Sequence, residues 1–240
     1  MTRLYHSDDL FADQVLILTE GQNHYLRHVL RAKLGDRLGV FNERDGEWSA
    51  VLTTLSKTNS AMTIESQVRP AVGVPEVSLF FAPLKHDPLI FLMEKATELG
   101  VRHFHPVMTE RCNVSRVNPE RLTAATIDAA QQCERFDIPK LYPLLPLNKA
   151  LSSWDSHIPL FVCQERGEVP SIREALSSLP VKAPVGFFVG PEGGFSSQEI
   201  CYLNSFSFTK FISLGPRILR AETAALAVLV SYQTVVGDWV

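Results

Sequence analysis

Arg217 and Arg220 stand three residues apart, just after Gly215-Pro216 and just before Ala221–Val236, a stretch of helical composition. A guanidinium stays protonated in proteins, so such a pair donates hydrogen bonds to carbonyls, phosphates or developing anions and does not accept protons. At the start of a helix, Arg220 occupies an electrostatically unfavourable position for a cation. A purely structural role, pairing with Glu222 or an upstream acid, is the alternative for this residue. Upstream, Phe187–Glu199 carries a second glycine loop, Gly190-Pro191-Glu192-Gly193-Gly194. Phosphate cradles use runs of free backbone N–H groups, often with a lysine, as in GxxxxGK[ST]. Pro191 removes one N–H, and Glu192 puts negative charge where a phosphate would sit; neither GK[ST] nor GxGxxG occurs in the chain. The loops therefore suit a neutral or cationic ligand held by backbone carbonyls and amides.

Each loop is positioned by a strand before it and a helix after it. Gly186–Val189 reads as a buried strand broken by Gly190-Pro191, and Ser196 and Glu199 have capping-box spacing, so a helix is predicted to start near Ser197. Phe211, Ile212 and Leu214 make the second strand. Either loop alone is compatible with an ordinary βα turn; two side by side form the crevice in which α/β sheets bind ligands. The same alternation runs from Val77 onward. Val77–Ala82 reads as a strand, and Leu89, Leu92, Met93, Ala96 and Leu99 as one helical face ending at Gly100. Val101–Val107 is a further strand, Pro119–Arg135 a helix capped by Asn118, and Leu160–Cys163 another strand. Five strands alternating with helices predict a parallel sheet covered on both faces. The last helix carries AALAVLV, apolar on nearly every side, and should be sandwiched or lie in an interface.

Residues 1–70 read as a small β-rich domain with strands at Val15–Leu18, Arg37–Phe41, Glu47–Leu52 and Met62–Val68. One helix, Asn23–Ala32, would bury Leu26, Val29 and Leu30 and gather His24, Arg27, His28 and Arg31 on its other face, with Lys33 and Arg37 following. That basic stripe fits phosphate contacts, and equally a solvated helix face. Residues 71–76, within the Pro- and Gly-containing stretch Val68–Glu76, read as a linker to a second domain, 77–240. The net charge of −3 over 240 residues is no signature of a nucleic-acid binder, so a polyanion would have to be met by local patches. The longest apolar run is seven residues, Ala224–Val230, and the start lacks a signal-peptide core, which predicts a cytosolic protein without membrane contact. Four widely spaced cysteines without a CxxC pair predict inert thiols, and no metal site is expected. His103 and His105 share a strand face, where packing or hydrogen bonding is the better reading.

GPEGGFSSQE and LGPRILRAETA closely resemble the two C-terminal signatures of the RsmE family, SPOUT-class methyltransferases that use S-adenosylmethionine to methylate N3 of a uridine in small-subunit (16S) ribosomal RNA. Lys95–Gly100, Thr109-Glu110-Arg111, and Gln132, Arg135 and Pro139 match further parts of the pattern, while His86, Cys133 and Glu134 depart from it. The resemblance implies a PUA-like N-terminal barrel that helps hold RNA and a C-terminal SPOUT domain threaded into a deep trefoil knot. It also implies a homodimer through the C-terminal helix, with ribosomal RNA or an assembled subunit as partner.

By the same resemblance, S-adenosylmethionine would be held by Leu160, Val162 and Gln164 after one strand, and by Val189, Gly190, Glu192, Gly193 and Gly194 in the first loop. Leu214, Gly215, Pro216, Leu219 and Thr223 would complete the pocket. Arg220 and Arg111 would be catalytic; Arg220 would donate to a uracil carbonyl as charge develops. His24, Arg27, His28, Arg31, Lys33 and Arg135 would contact RNA. Two rival functions have the same motifs to explain: another SPOUT RNA methyltransferase acting on a ribose 2′-hydroxyl or a different base, and a non-catalytic ribosome-assembly factor.

Overall fold

The computed structural model of the chain, which describes residues 2–165 and 167–240, divides into two units. The first comprises the chain up to Gly73 together with Ala130–Ile138; the second comprises Val74–Ala129 and Pro139–Val240. The division is thus not serial, as the expected boundary near residue 70 would have it. Arg3 explains why: its guanidinium donates to the carbonyls of Ala130 (3.3 Å) and Arg135 (3.2 Å), and Tyr5 N donates to Gln131 Oε1 at 3.1 Å.

The first unit contains β1 (Arg3–Tyr5), β2 (Val15–Ile17), α1 (Glu20–His24), β3 (Arg37–Asn42), β4 (Gly46–Leu55) and β5 (Ser60–Arg69). They form one sheet in the order β1-β3-β4-β5-β2, antiparallel except for β1 beside β3. Register shifts at Glu47/Trp48, Ser49/Ala50 and Leu52/Thr54 bend the β4–β5 pair, so the sheet curls around Leu4, Leu16, Leu26, Val40, Leu52 and Ile64. β1 escaped the sequence reading because three residues carry no measurable period.

The expected helix Asn23–Ala32 is corrected in both extent and phase. Thr19 caps α1 through a capping box with Gln22, and the chain then opens into a π-helical turn, Tyr25–Val29, before Arg31 takes a left-handed conformation (φ 52°). The wider turn rotates the side chains it carries out of α-helical phase. Leu26 stays buried, but Val29, assigned to the apolar face, is 61% exposed.

The second unit contains β6 (Val77–Phe81), α2 (His86–Glu98), β7 (His103–Met108), α3 (Pro119–Cys133, whose last turn belongs to the first unit), β8 (Lys140–Leu141), β9 (Leu145–Pro146) and α4 (Leu147–Ser152). It continues through β10 (Leu160–Cys163), α5 (Ile172–Leu176), β11 (Val185–Val189), α6 (Ser197–Asn204), β12 (Thr209–Ile212) and α7 (Ala221–Val235). The strands pair in parallel in the order β12-β10-β11-β6-β7, with the short β8 and β9 along the far edge of β7. Alternate strand residues feed two cores. Leu79, Phe81, Phe161 and Phe187 pack with residues of α2 and α7, whereas Phe80, Leu160, Val162 and Phe188 pack with Leu147 and Leu151 of α4 and Leu203 of α6. The parallel sheet with helices on both faces is as expected; β8, β9, α4 and α5 are additions too short to be seen in the pattern.

His103 and His105 do share a face. His103 Nε2 lies 2.8 Å from Glu76 Oε2, and His105 is stacked between Phe80 (centroids 4.3 Å apart) and Tyr142 (4.1 Å). Burial, with smaller contributions from His103 and Lys140, pushes the His105 pKa down from 6.5 to about 3. The folded state therefore binds fewer protons than the unfolded chain between those values. Stability from this group is complete above pH 6.5 and falls as the pH drops towards 3, by roughly 1.4 kcal/mol per pH unit at most. His105→Phe keeps the stack and removes the titration, so its melting temperature should fall less steeply than wild type between about pH 6 and 4. Parallel curves would show that His105 is not titrating there.

Candidate functional site

A cavity of ≈ 430 Å³ opens at the carboxyl ends of β10, β11 and β12. The β11–α6 loop contributes Val189, Gly190, Glu192, Gly193 and Gly194; the β12–α7 segment contributes Leu214, Gly215 and Leu219. Gln164 closes the end of β10, and Arg111 reaches in from the loop after β7. These are residues the sequence reading nominated, and the sheet topology brings them together: β10 lies between β11 and β12, so their loops meet over it.

Five nominated residues are not in the wall. Leu160 and Val162 are fully buried in the core on the α4–α6 side, because the strand's period of two turns Phe161 and Cys163 the other way. Pro216 is exposed outside the wall, and Thr223 is exposed on α7, whose Ala221 and Ala224 face the cavity at i, i+3 spacing. Arg220 is the N-cap residue of α7 (φ −63°, ψ 155°), exposed and, among the described residues, without an ion-pair partner; its neighbours Leu219 and Ala221 line the cavity while its own side chain does not. Arg217 does line it.

Cys163, Glu165, Phe195 and Ile200 also line the cavity and were not nominated. Strand parity could have found Cys163; the others depend on how α6 and the segment after β10 are placed, which no local pattern reports. Burial pushes the Cys163 thiol up to about 12, so it is neutral and inert as a nucleophile.

One carboxylate holds the frame. Glu199 completes the expected capping box, with its amide donating to Ser196 Oγ (3.3 Å) and its Oε2 accepting from Ser196 N (2.8 Å). Its Oε1 also accepts from Glu110 N at 2.8 Å. The start of α6 is thereby tied to the loop after β7, and the next residue, Arg111, donates from Nη1 to Gly193 O at 2.9 Å. Gly215 sits at φ 107°, a conformation that residues with a side chain rarely adopt, and this lets the chain turn sharply off β12.

Residues 73–233 match the RNA methyltransferase domain family, and residues 15–61 match the RNA methyltransferase PUA domain. Over 95% of its length the chain is 34% identical to the ribosomal RNA small subunit methyltransferase E of Rickettsia conorii, covering 93% of that protein. The chain belongs to the ribosomal RNA small subunit methyltransferase E family. A relative of that name from Buchnera aphidicola is 29% identical over 98% of the chain and 97% of its own length. The fold agrees: the crystal structure of the methyltransferase E from Neisseria gonorrhoeae, bound to S-adenosylmethionine, superposes over the whole of both chains with a TM-score of 0.88 at 27% identity. A putative methyltransferase from Legionella pneumophila, in complex with the same cofactor, gives 0.87 at 29% identity over 97% of each chain.

The residues nominated for RNA contact divide. In the first unit, His24, His28, Arg31 and Lys33 are exposed and Arg27 is half-buried; none is in an ion pair among the described residues. The His24 and His28 rings lie 4.6 Å apart. Arg135 is corrected: its side chain is only 9% exposed and its Nε donates to Asp137 Oδ1 at 3.0 Å, so it is an internal ion-pair partner in place of a surface contact. Among the described residues no helix is long and apolar enough to cross a membrane.

Proposed function

We propose that this chain methylates N3 of a uridine in small-subunit ribosomal RNA, with S-adenosylmethionine as donor. The observation that carries the reading is the cavity built by two glycine loops at the ends of the parallel strands on either side of β10, lacking a phosphate cradle, in a chain of the methyltransferase E family. The cavity's chemistry suits that donor. Val189, Leu214, Leu219 and Ala224 make an apolar wall, and Glu165 and Glu192 bring negative charge to a site suited to a cation. Gln164 and the loop backbone supply hydrogen-bonding edges for an adenine. When bound, S-adenosylmethionine supplies an electrophilic methyl group on a positively charged sulfur.

The remaining work falls to the chain itself. Uracil N3 carries a proton that must leave, and the resulting charge spreads onto the two ring carbonyls. Arg220, with no ion-pair partner among the described residues, is the donor we assign to one of them. Arg111 spends one N–H on Gly193 O, which positions the loop, and retains others for the acceptor. The exposed cations from His24 to Lys33 supply phosphate contacts to ribosomal RNA or to the assembled subunit, in the cytoplasm. Nucleoside mass spectrometry of ribosomal RNA from a deletion strain tests the whole: 3-methyluridine should vanish and return with the gene. Loss of a 2′-O-methyl or another base methyl instead, or no measurable heat on titrating S-adenosylmethionine into the protein, would refute it.

The reading includes the knotted threading of the C-terminal segment and a homodimer formed through α7. In support of the dimer, α7 leaves a stripe of Thr223, Leu226, Ala227, Val230 and Thr234 exposed or half-buried, opposite the face it packs on the sheet. Val230→Glu should therefore convert a dimer to a monomer in light scattering at micromolar concentration. Identical masses for variant and wild type would exclude this face.

A further inference from the structure

A second, smaller cleft of about 20 Å³ lies at the carboxyl ends of β6 and β7 and shares Arg111, Pro191 and Glu192 with the larger cavity. Its own walls are the β6–α2 turn, with Lys85, and the loop after β7, with Asn113. These walls are tied together. Cys112 Sγ donates to Val114 O (3.2 Å) and Pro83 O (3.5 Å), and Arg111 holds Gly193 O on the shared side. The volume admits about one water-sized group. The Lys85 and Asn113 side chains are exposed, and neither makes a hydrogen bond or ion pair within the described residues. Their donors are unspent, beside a cleft with room for about one water-sized group.

Methyl transfer requires the acceptor atom within about 3–3.5 Å of the methyl group and in line with its bond to sulfur. An acceptor must therefore lie against the donor cavity, and this cleft adjoins it. Uracil places a carbonyl oxygen on each side of N3, and those oxygens take up the charge left when the N3 proton departs to solvent. A cation and an amide donor at one of them favour that departure.

We propose that the cleft receives an exocyclic oxygen of the acceptor uracil, to which Lys85 and Asn113 donate, so that N3 lies at the wall shared with the cofactor cavity. This rests on the uridine-N3 methyltransferase function already proposed. A backbone phosphate oxygen would satisfy the same donors, and kinetics separate the two.

Wild-type enzyme is first assayed with S-adenosylmethionine by calorimetry and with unmethylated small subunits by mass spectrometry. Failure of either overturns the function and the cleft together; success leaves the variants to address the cleft alone. Lys85→Met should lower kcat about 10- to 100-fold, with cofactor Kd unchanged within about twofold. Its rate should climb with pH over a higher range than wild type, since less of the N3 charge is stabilised, and Lys85→Arg should restore most of the loss. Asn113→Ala should lower kcat less, about tenfold. Unchanged kcat and pH profile in Lys85→Met would overturn the proposal. So would a pure loss of subunit affinity with a salt slope smaller by about one, which would assign Lys85 to a phosphate.

Discussion

Alanine in place of Arg220 should cut turnover about 10²–10³-fold while S-adenosylmethionine binds as before. The side chain lies outside the cavity wall, so the cofactor loses no contact with it. It caps α7 without a side-chain hydrogen bond, so the helix loses no cap. Exposed at a helix N-terminus, the guanidinium meets the positive end of the dipole, and no acid among the described residues pairs with it. Such a cation is best explained by an anion that arrives with the substrate. Single-turnover methyl transfer alongside calorimetry measures both quantities, and Arg220→Lys should recover only part of the rate because it keeps the charge without the fork. Turnover within about twofold of wild type would remove Arg220 from the chemistry and leave Arg217, which does line the cavity, to be tested in its place.

Glu47→Ala should cost the first unit roughly 3–5 kcal/mol, the usual consequence of stranding a buried charge. The Glu47 side chain is 5% exposed and that of Arg3 3%. Arg3 Nε approaches Glu47 Oε1 to 3.2 Å, without the alignment of a hydrogen bond, and its guanidinium stacks 4.0 Å above the Phe41 ring. Arg69 Nε donates to the other carboxylate oxygen at 2.8 Å, and Arg69 in turn pairs with Glu134 at 2.9 Å. Burial already lowers the Arg3 pKa, with Glu47 opposing and Arg69 adding to the shift. Without Glu47, Arg3 and Arg69 would repel each other with only the more exposed Glu134 left to offset their charge. A Cβ at position 39 would lie 2.5 Å from Glu47 Oε1, so a larger residue there would have to displace that carboxylate. Amide hydrogen exchange along β4 and β5 reads the loss in that unit alone; protection within a factor of about five of wild type, near 1 kcal/mol, would show that the cluster is worth no more than a surface pair.

How much of this was legible before the fold can be judged from particular residues. Ser196 and Glu199 announced the start of α6 because a capping box is complete within four residues. The strands that begin at Val77 and Leu160, the strand read as Gly186–Val189 that in fact begins at Val185, and the glycine breaks after the strand ends were legible because strand burial and turn chemistry are local. From β7 the sequence showed Thr109-Glu110-Arg111, but not that Glu110 N reaches Glu199 across the sheet.

By itself the sequence determined the longer strands and helices of the second unit and where the two glycine loops lie. These follow from periods of about two and 3.6 residues and from the φ angles that Gly and Pro allow. Only tertiary structure decided which side chains near the start of α7 face the cavity: Arg217 and not Arg220, Ala224 and not Thr223. It likewise buried Arg135 against Asp137 and exposed Val29 within a π-helical turn. The direction of a side chain at a strand end or helix start depends on the phase in which distant elements pack, and that phase is set by contacts far apart along the chain.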